Sequence, residues 1–490
     1  MAFMDSSVVN VALPTLQTNF RASSSGIQWV VQSYALFGAA LLLLGGAVGD
    51  HYGRRRAFCW GVALFAAASA GCGAAFSLSA LIAARALQGV GAALLVPQGL
   101  SILSASFSGE ERGRAIGIWS AWTGVFGALG PVVGGWLLQQ WSWRLIFLLN
   151  LPLAAVVLGL APRIPESRGG DSERPLDWLG AALATTSFAA LIYGLSFAPE
   201  LGWRSTRVLT SLLAGGLLLA AFLASQAGRP NAMMPLSLFR IPRFLAPNLL
   251  TLLLYGALGG ALYVIPFYVI QVRHYRPAGA GAVFLPLVAM MFLFSARVGG
   301  LVARVGERRL LTAGAALSGA GFCALAALAN QGSYIRGVLP GVLLLGAGLT
   351  LAVAPLTTVV MSSVPEGEMG IASAVNNALS RLAGLMAVSL LALVLAHGFR
   401  VRLQAELGRS ALPETARAAM VAGVARLHET PIPDNLSAEQ RTVAIAALDR
   451  AFVAGFRSVM IWCAVSCWVG AVVVWGLLRG HAVTATQRIS

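Results

Sequence analysis

The 490-residue chain contains no lysine and few charges of either sign. It carries 34 basic residues, all arginine, and 18 acidic ones, so that 11% of the chain is charged. Soluble domains run near a quarter charged. That excludes water as the main solvent, in line with 58% hydrophobic residues and a mean hydropathy of +0.78. We read the missing lysine as codon bias rather than chemistry. With no lysine there is no Gly-x-x-x-x-Gly-Lys-[Ser/Thr] loop, and an ATP-driven cycle is excluded. The five cysteines all fall in apolar segments. Cys463 and Cys467 share a helix face but have no histidine or acidic companions, so packing explains them better than a metal does. The first residues lack a basic region and a small-residue cleavage site, so no cleavable signal is expected. A net charge of +16 would suggest nucleic acid in a soluble protein. Here the arginines sit mostly between apolar runs, where they fit a topology signal instead. No cofactor, metal or nucleic-acid partner is expected, and a monomer is.

What the chain has in abundance is long apolar runs. A spanning helix needs about 20 mainly apolar residues. By that ruler spans fall near 1–19, 28–49, 57–76, 79–106, 114–139, 144–161, 178–198, 207–225, 244–271, 279–302, 309–329, 336–361, 371–397 and 454–478. No run shows the period-2 alternation of a membrane barrel, so the expectation is an all-α membrane protein with fourteen transmembrane helices. Loops after even-numbered spans carry twice as many arginines as the short loops after odd-numbered ones, fourteen against seven. This places the even-side loops and both termini in the cytoplasm. The one long hydrophilic stretch, 398–453, is then outside. It has helical periodicity around 414–427 and 437–452, and Ser437-Ala-Glu-Gln440 is a capping box for the second of these. A surface hairpin is the plainer reading of this loop, and a substrate-gating lid the alternative.

A glycine-basic turn, Gly46-Ala-Val-Gly-Asp50-His-Tyr-Gly53-Arg54-Arg55-Arg56, returns 253 residues later as Gly299-Gly-Leu-Val-Ala303-Arg-Val-Gly306-Glu-Arg308-Arg309. One such loop in each half is the mark of a duplicated transporter. Asp50 is Ala303 in the second copy, so the halves are not equivalent. The expected division is a six-helix bundle over 1–165, a linker with two extra helices over 166–230, and a second six-helix bundle over 231–490 that includes the 398–453 loop.

Ionisable groups inside a membrane are expensive and usually functional. Within the spans stand Asp5, Arg85, Arg297 and Arg381, and Asp5 is the only carboxylate. Burial disfavours a charged carboxylate and a guanidinium favours it, a balance that suits loading and release of a proton. The alternative is a helix-end cap or a purely structural Asp5–Arg85 pair. The fifth span carries Gly117, Gly124, Gly127, Gly130-Pro131 and Gly134-Gly135, a face that admits close helix approach and a bend at the proline.

These pieces together resemble the major facilitator superfamily, in its fourteen-span drug:proton antiporter branch. The matching segments are Asp5-Ser-Ser-Val-Val-Asn10-Val-Ala-Leu-Pro14, the Gly46–Arg56 loop, Arg85-Ala-Leu-Gln88-Gly89-Val-Gly91, Gly124–Gly135, Trp143-Arg144-Leu-Ile-Phe-Leu-Leu-Asn150-Leu-Pro152, Asp177-Trp178-x-Gly180, Pro235-Leu-Ser-Leu-Phe239-Arg240 and Asn376-x-x-x-x-Arg381. The resemblance implies two pseudo-symmetric six-helix bundles plus two additional central helices. It implies proton coupling at Asp5, tuned by Arg85. It implies a conformational latch at Gly46, Asp50, Gly53 and Arg54, with Asp50 near the N-terminus of the helix starting around Gly370. It also implies an antiporter motif at Gly124, Gly130, Pro131, Gly134 and Gly135 that flexes and seals the interface between halves. Family members normally carry roughly a dozen more apolar residues before the aspartate, so a longer first span is expected upstream of Met1. Candidate substrate-lining residues are Asn10, Gln32, Tyr34, Gln98, Trp119, Trp122, Asn248, Tyr255, Tyr263 and Phe267, each of which could equally be packing. The expected activity is export of lipophilic small molecules across the inner membrane in exchange for protons, by alternating access and without enzymatic chemistry. The alternatives are a dedicated exporter of one endogenous metabolite or lipid, and an uncoupled facilitator.

Overall fold

A computed structural model describes residues 1–22, 24–168, 177–227, 232, 234–275, 282–331, 333–410, 412–422, 430, 432–433 and 436–479. Within these helices the side chains of Asn10, Pro131 and Ala303, among others, lie outside the description. The described elements are helices, because lipid offers no partner to a free backbone N–H or C=O. In chain order they are α1 (Ala2–Phe20), α2 (Ser24–Ala40), α3 (Leu42–Tyr52), α4 (Arg54–Ala74), α5 (Leu78–Ser106), α6 (Gly109–Gln140), α7 (Arg144–Leu148), α8 (Asn150–Leu160), α9 (Trp178–Leu201) and α10 (Thr206–Gln226). There follow α11 (Pro242–Phe267), α12 (Leu285–Val305), α13 (Glu307–Ala327), α14 (Leu339–Ser362), α15 (Met369–Gly408), α16 (Glu414–Ala422) and α17 (Ala438–Leu477).

Among the described residues eleven helical stretches are long and apolar enough to cross a membrane, or twelve with α2 and α3 taken as one span bent by 47°. Helices α1 and α6, of 19 and 32 residues, pack in the same bundle and fall outside that count. Apolar side chains also cover the outside: Leu213 and Leu217 of α10 are 67% and 72% exposed, as a lipid-facing surface requires.

The duplication is visible in the backbone. Gly53 and Gly306, equivalent in the two loop copies, both hold positive φ, 112° and 90°, which side chains rarely adopt. Gly61 of α4 and Gly314 of α13 are likewise 253 residues apart. A Cβ on either would come within 2.7 Å of a backbone nitrogen, of Leu95 in α5 and of Ala352 in α14 respectively. The same close helix pair is therefore built twice.

Two elements run further than the apolar pattern. Helices α15 and α17 are 40 residues each, about 60 Å long at 1.5 Å per residue, twice the hydrocarbon thickness. The 398–453 segment is thus no free-standing hairpin at its flanks. Its first eleven residues, through Gly408, prolong α15, and residues from Ala438 onward belong to α17. The capping box is present, with Gln440 N donating to Ser437 Oγ at 3.2 Å and Ser437 N to Gln440 Oε1 at 3.1 Å. The helix predicted over 414–427 is seen as Glu414–Ala422, and residues 423–427 lie outside the described residues.

Candidate functional site

Asp5 lies in the first turn of α1 yet caps nothing there. Its carboxylate, 2% exposed, turns to α5 and α8. Oδ2 pairs with Arg85 Nη1 at 2.5 Å, and Oδ1 accepts from Gln88 Nε2 and Asn150 Nδ2, each at 2.9 Å. Gln88 follows Arg85 by one turn of α5 and also donates to Ser69 Oγ at 2.7 Å. Arg85 is fully buried. It donates to Val30 O at 3.0 Å and Gln88 Oε1 at 2.6 Å, and its guanidinium stands 4.3 Å above the Tyr34 ring. Two atoms here have no hydrogen-bond partner, Arg85 Nη2 and Asn150 Oδ1. The cluster is built for a charged carboxylate: three donors face it, and the buried charge is neutralised by a guanidinium. Protonation would remove the negative charge those donors face and leave a neutral acceptor.

Tyr34 ties the cluster to the start of α1. Its hydroxyl donates to Ala2 O at 3.2 Å, and its ring carries the Arg85 guanidinium.

The loop forms a second polar centre. Asp50 Oδ1 and Oδ2 accept from the amides of Gly370 and Ile371 at 3.2 and 3.1 Å, at the N-terminus of α15, where the helix dipole favours an anion. Arg54 Nε holds the same carboxylate at 3.0 Å and is itself 1% exposed. Gly46 is in contact with α15: a Cβ there would meet Gly370 O at 2.6 Å and Ala374 Cβ at 2.8 Å. Around Gly53, Glu166 accepts from the Arg55 amide at 3.0 Å and pairs with Arg55 and Arg56 at 3.7 and 3.8 Å. In the second copy the partners differ. Glu307, the counterpart of Arg54, forms a two-pronged pair with Arg243 at 2.8 and 2.7 Å.

The bundles meet closely at this end. Cβ atoms on Gly113 and Gly117 of α6 would strike backbone of Gly299 and Ser295 in α12, whereas Gly124 and Gly127, further along, have nothing within 4 Å. A Cβ on Gly384 of α15 would also meet nothing, while Gly259 of α11 packs against its backbone. Gly130 and Gly134 instead contact α1, at Ser7 and Val8, and Gly135 is unobstructed.

The candidate lining residues divide. Asn248 is buried in the second bundle, accepting from Asn376 at 3.1 Å. Gln98 donates to Gly45 O of α3 at 2.8 Å. Trp119 and Trp122 line an apolar cavity of about 430 Å³ beside Met1 and Phe3. Tyr263 and Phe267 form an exposed ring pair 5.2 Å apart, Tyr255 is partly buried, and Gln32 Oε1 is buried without a hydrogen-bond partner. The Asn10 side chain lies outside the described residues. Gln88, Asn150 and Glu166 were not singled out from sequence. The first two stood inside quoted motifs, and an amide one turn from a buried arginine was the available signal.

Residues 1–388 match the Major Facilitator Superfamily. The chain belongs to that superfamily. It is 34% identical over 469 residues to Multidrug resistance protein Stp of Mycobacterium tuberculosis (strain CDC 1551 / Oshkosh), covering 94% of this chain and 86% of that protein. It is 32% identical over 400 residues to the Tetracenomycin C resistance and export protein of Streptomyces glaucescens, covering 81% and 74%. To the Methylenomycin A resistance protein of Bacillus subtilis (strain 168) it is 33% identical over 402 residues, covering 81% and 85%. Among solved structures, the proton:xylose symporter XylE superimposes with a TM-score of 0.60 at 15% identity, over 97% of this chain and 92% of that one. The human organic anion transporter MFSD10 gives 0.58 at 15%, over 96% of each. This superfamily member is a multi-pass membrane transporter with the superfamily's all-helical fold.

Proposed function

We propose that this transporter exports lipophilic small molecules across the inner membrane in exchange for protons, with Asp5 as the proton site. The relatives named for drug resistance and export supply the substrate class. The observation that carries proton coupling is the Asp5 cluster, a carboxylate buried with Arg85, Gln88 and Asn150 as its donors. Loading a proton removes the charge that holds the cluster together, and unloading restores it.

In this reading residues 1–165 and 231–490 are the two moving bundles and 166–230 the linker with its two extra helices. Both termini and the Asp50 loop are cytoplasmic. The seam closed at Gly46, Gly113 and Gly117 is then that of an outward-open state. Asp50 latches that state through the amides at the start of α15. The test is efflux of fluorescent lipophilic dyes from cells, with and without a proton uncoupler. Energy-dependent efflux that collapses with the uncoupler is expected. Efflux indifferent to the uncoupler would identify an uncoupled facilitator and overturn the proton exchange.

A further inference from the structure

The end of the second bundle away from the Asp50 loop concentrates arginine. Arg402 stands 33 residues beyond Met369 on α15, about 50 Å along the helix at 1.5 Å per residue. With Arg273, just after α11, and with Arg450 and Arg457 of α17 it lines a cavity of about 470 Å³. Small-ligand sites enclose about 300–1,000 Å³. Two acids answer the four guanidiniums. Glu406 pairs with Arg402 at 2.6 Å and with Arg450 at 3.0 Å, and Asp449 stands in the cavity wall. Arg273 and Arg457 direct their hydrogen bonds to neutral oxygens. Arg273 donates to the Tyr268 hydroxyl at 2.8 Å and to Ala329 O at 2.6 Å, and Arg457 Nε donates to Ala326 O at 3.0 Å. Both carbonyls lie at the C-terminal end of α13, where a cation suits the helix dipole. That role occupies one edge of each guanidinium. Among the described residues neither arginine is in an ion pair, and the two terminal nitrogens of Arg457 have no hydrogen bond.

We propose that this cavity binds a phosphate group, carried by an anionic phospholipid at the membrane edge or free in solution. Guanidiniums meet phosphate oxygens with paired N–H donors, and basic pockets between transmembrane helices take lipid headgroups. Donors from three segments suit tetrahedral oxygens better than the planar oxygens of a carboxylate. Four guanidiniums against two acids repel a cation. The rest of the wall includes Val272, Val453 and Ala454, and the apolar run of α17 begins near residue 454. Charge and aliphatic surface therefore meet at the edge of the membrane-spanning part, as a phospholipid headgroup and its glycerol require. The site lies within the second bundle and is independent of what the protein exports.

Purified full-length protein, stripped of lipid in detergent, is titrated with short-chain phosphatidylglycerol, with phosphatidylcholine of the same chains, and with inorganic phosphate. Bound lipid is counted by native mass spectrometry and bound phosphate by equilibrium dialysis. Phosphatidylglycerol or phosphate should bind at one site. Arg457→Gln should weaken that binding about tenfold or more, as for a lost hydrogen bond to a charged group. Asp449→Asn, which removes an acid from the wall, should tighten it, and decides the matter if Arg457→Gln fails to fold. Lipid binding without phosphate binding identifies a headgroup site, whereas saturable phosphate binding shows that the ion suffices; either supports the proposal. An arginine that only caps α13 would lower the melting temperature of Arg457→Gln and leave its affinity at the wild-type value, which overturns it. So does a wild type that binds neither probe, or one that binds both lipids equally and regardless of either substitution.

Discussion

Replacing Asp50 with asparagine tests the latch with a nearly isosteric change. In the closed seam the carboxylate accepts two amides of the second bundle, at 3.2 and 3.1 Å. Asparagine keeps one acceptor oxygen and turns an NH2 toward the other amide. The Arg54 pair is within one bundle and is lost equally whether the seam is open or shut, so it cancels from the conformational balance. What remains is one hydrogen bond to a charged group together with the charge–dipole attraction at a helix N-terminus. Together these are worth about 2–3 kcal/mol, or about a 30- to 150-fold shift toward the state with this end open. Paired spin labels at Arg114 and Val305, which flank the α6–α12 seam, would report the distance distribution. The ratio of long- to short-distance populations should rise by that factor in Asp50→Asn, while a change at Ala303 leaves it alone. A distribution indistinguishable from wild type, in a variant of normal thermal stability, would refute the latch.

The same labels read two further changes. Gly46→Ala places a methyl 2.6 Å from Gly370 O, so it should hold this end open and reduce transport; a normally closed seam would show that the contact yields. Burial pushes the Glu368 carboxyl above its ordinary value, so ionising it in the turn before α15 costs the closed state. Glu368→Gln should therefore favour closure at neutral pH. That advantage should vanish as the pH falls through the carboxylate range, where the wild type is protonated as well; an advantage independent of pH would rule out titration as the cause. Orientation is checked by labelling from the outer face, where a cysteine at Ala438 should react and one at Ser167 should not, and the reverse would invert the topology.

Much of this was legible because membranes make a few residues conspicuous. Asp5 stood out as the only carboxylate in an apolar span, and Asp50 as the one position where the repeated loop had lost its symmetry. The pair of 40-residue helices was not legible. A ruler for apolar runs stops at the first charges, whereas helix propensity does not. Between the Ser437 cap and residue 454 there is neither glycine nor proline to end α17. The partners of the amides were not legible for a different reason. Asn248 and Gln98 look like pocket residues in sequence, yet they satisfy a neighbouring asparagine and a backbone carbonyl. Asn150, in an equally apolar span, binds the Asp5 carboxylate. An amide's partner is set by tertiary geometry, and 145 positions separate Asn150 from Asp5.

The most direct test of the account is transport by Asp5→Asn in proteoliposomes with an imposed pH gradient. Asparagine mimics the protonated carboxyl and keeps an acceptor for Arg85, so the variant should fold and still bind substrate. It has no proton to exchange. Uphill movement of substrate driven by the gradient should be abolished, while downhill exchange of substrate for substrate persists. Gradient-driven accumulation at the wild-type rate would contradict Asp5 as the proton site.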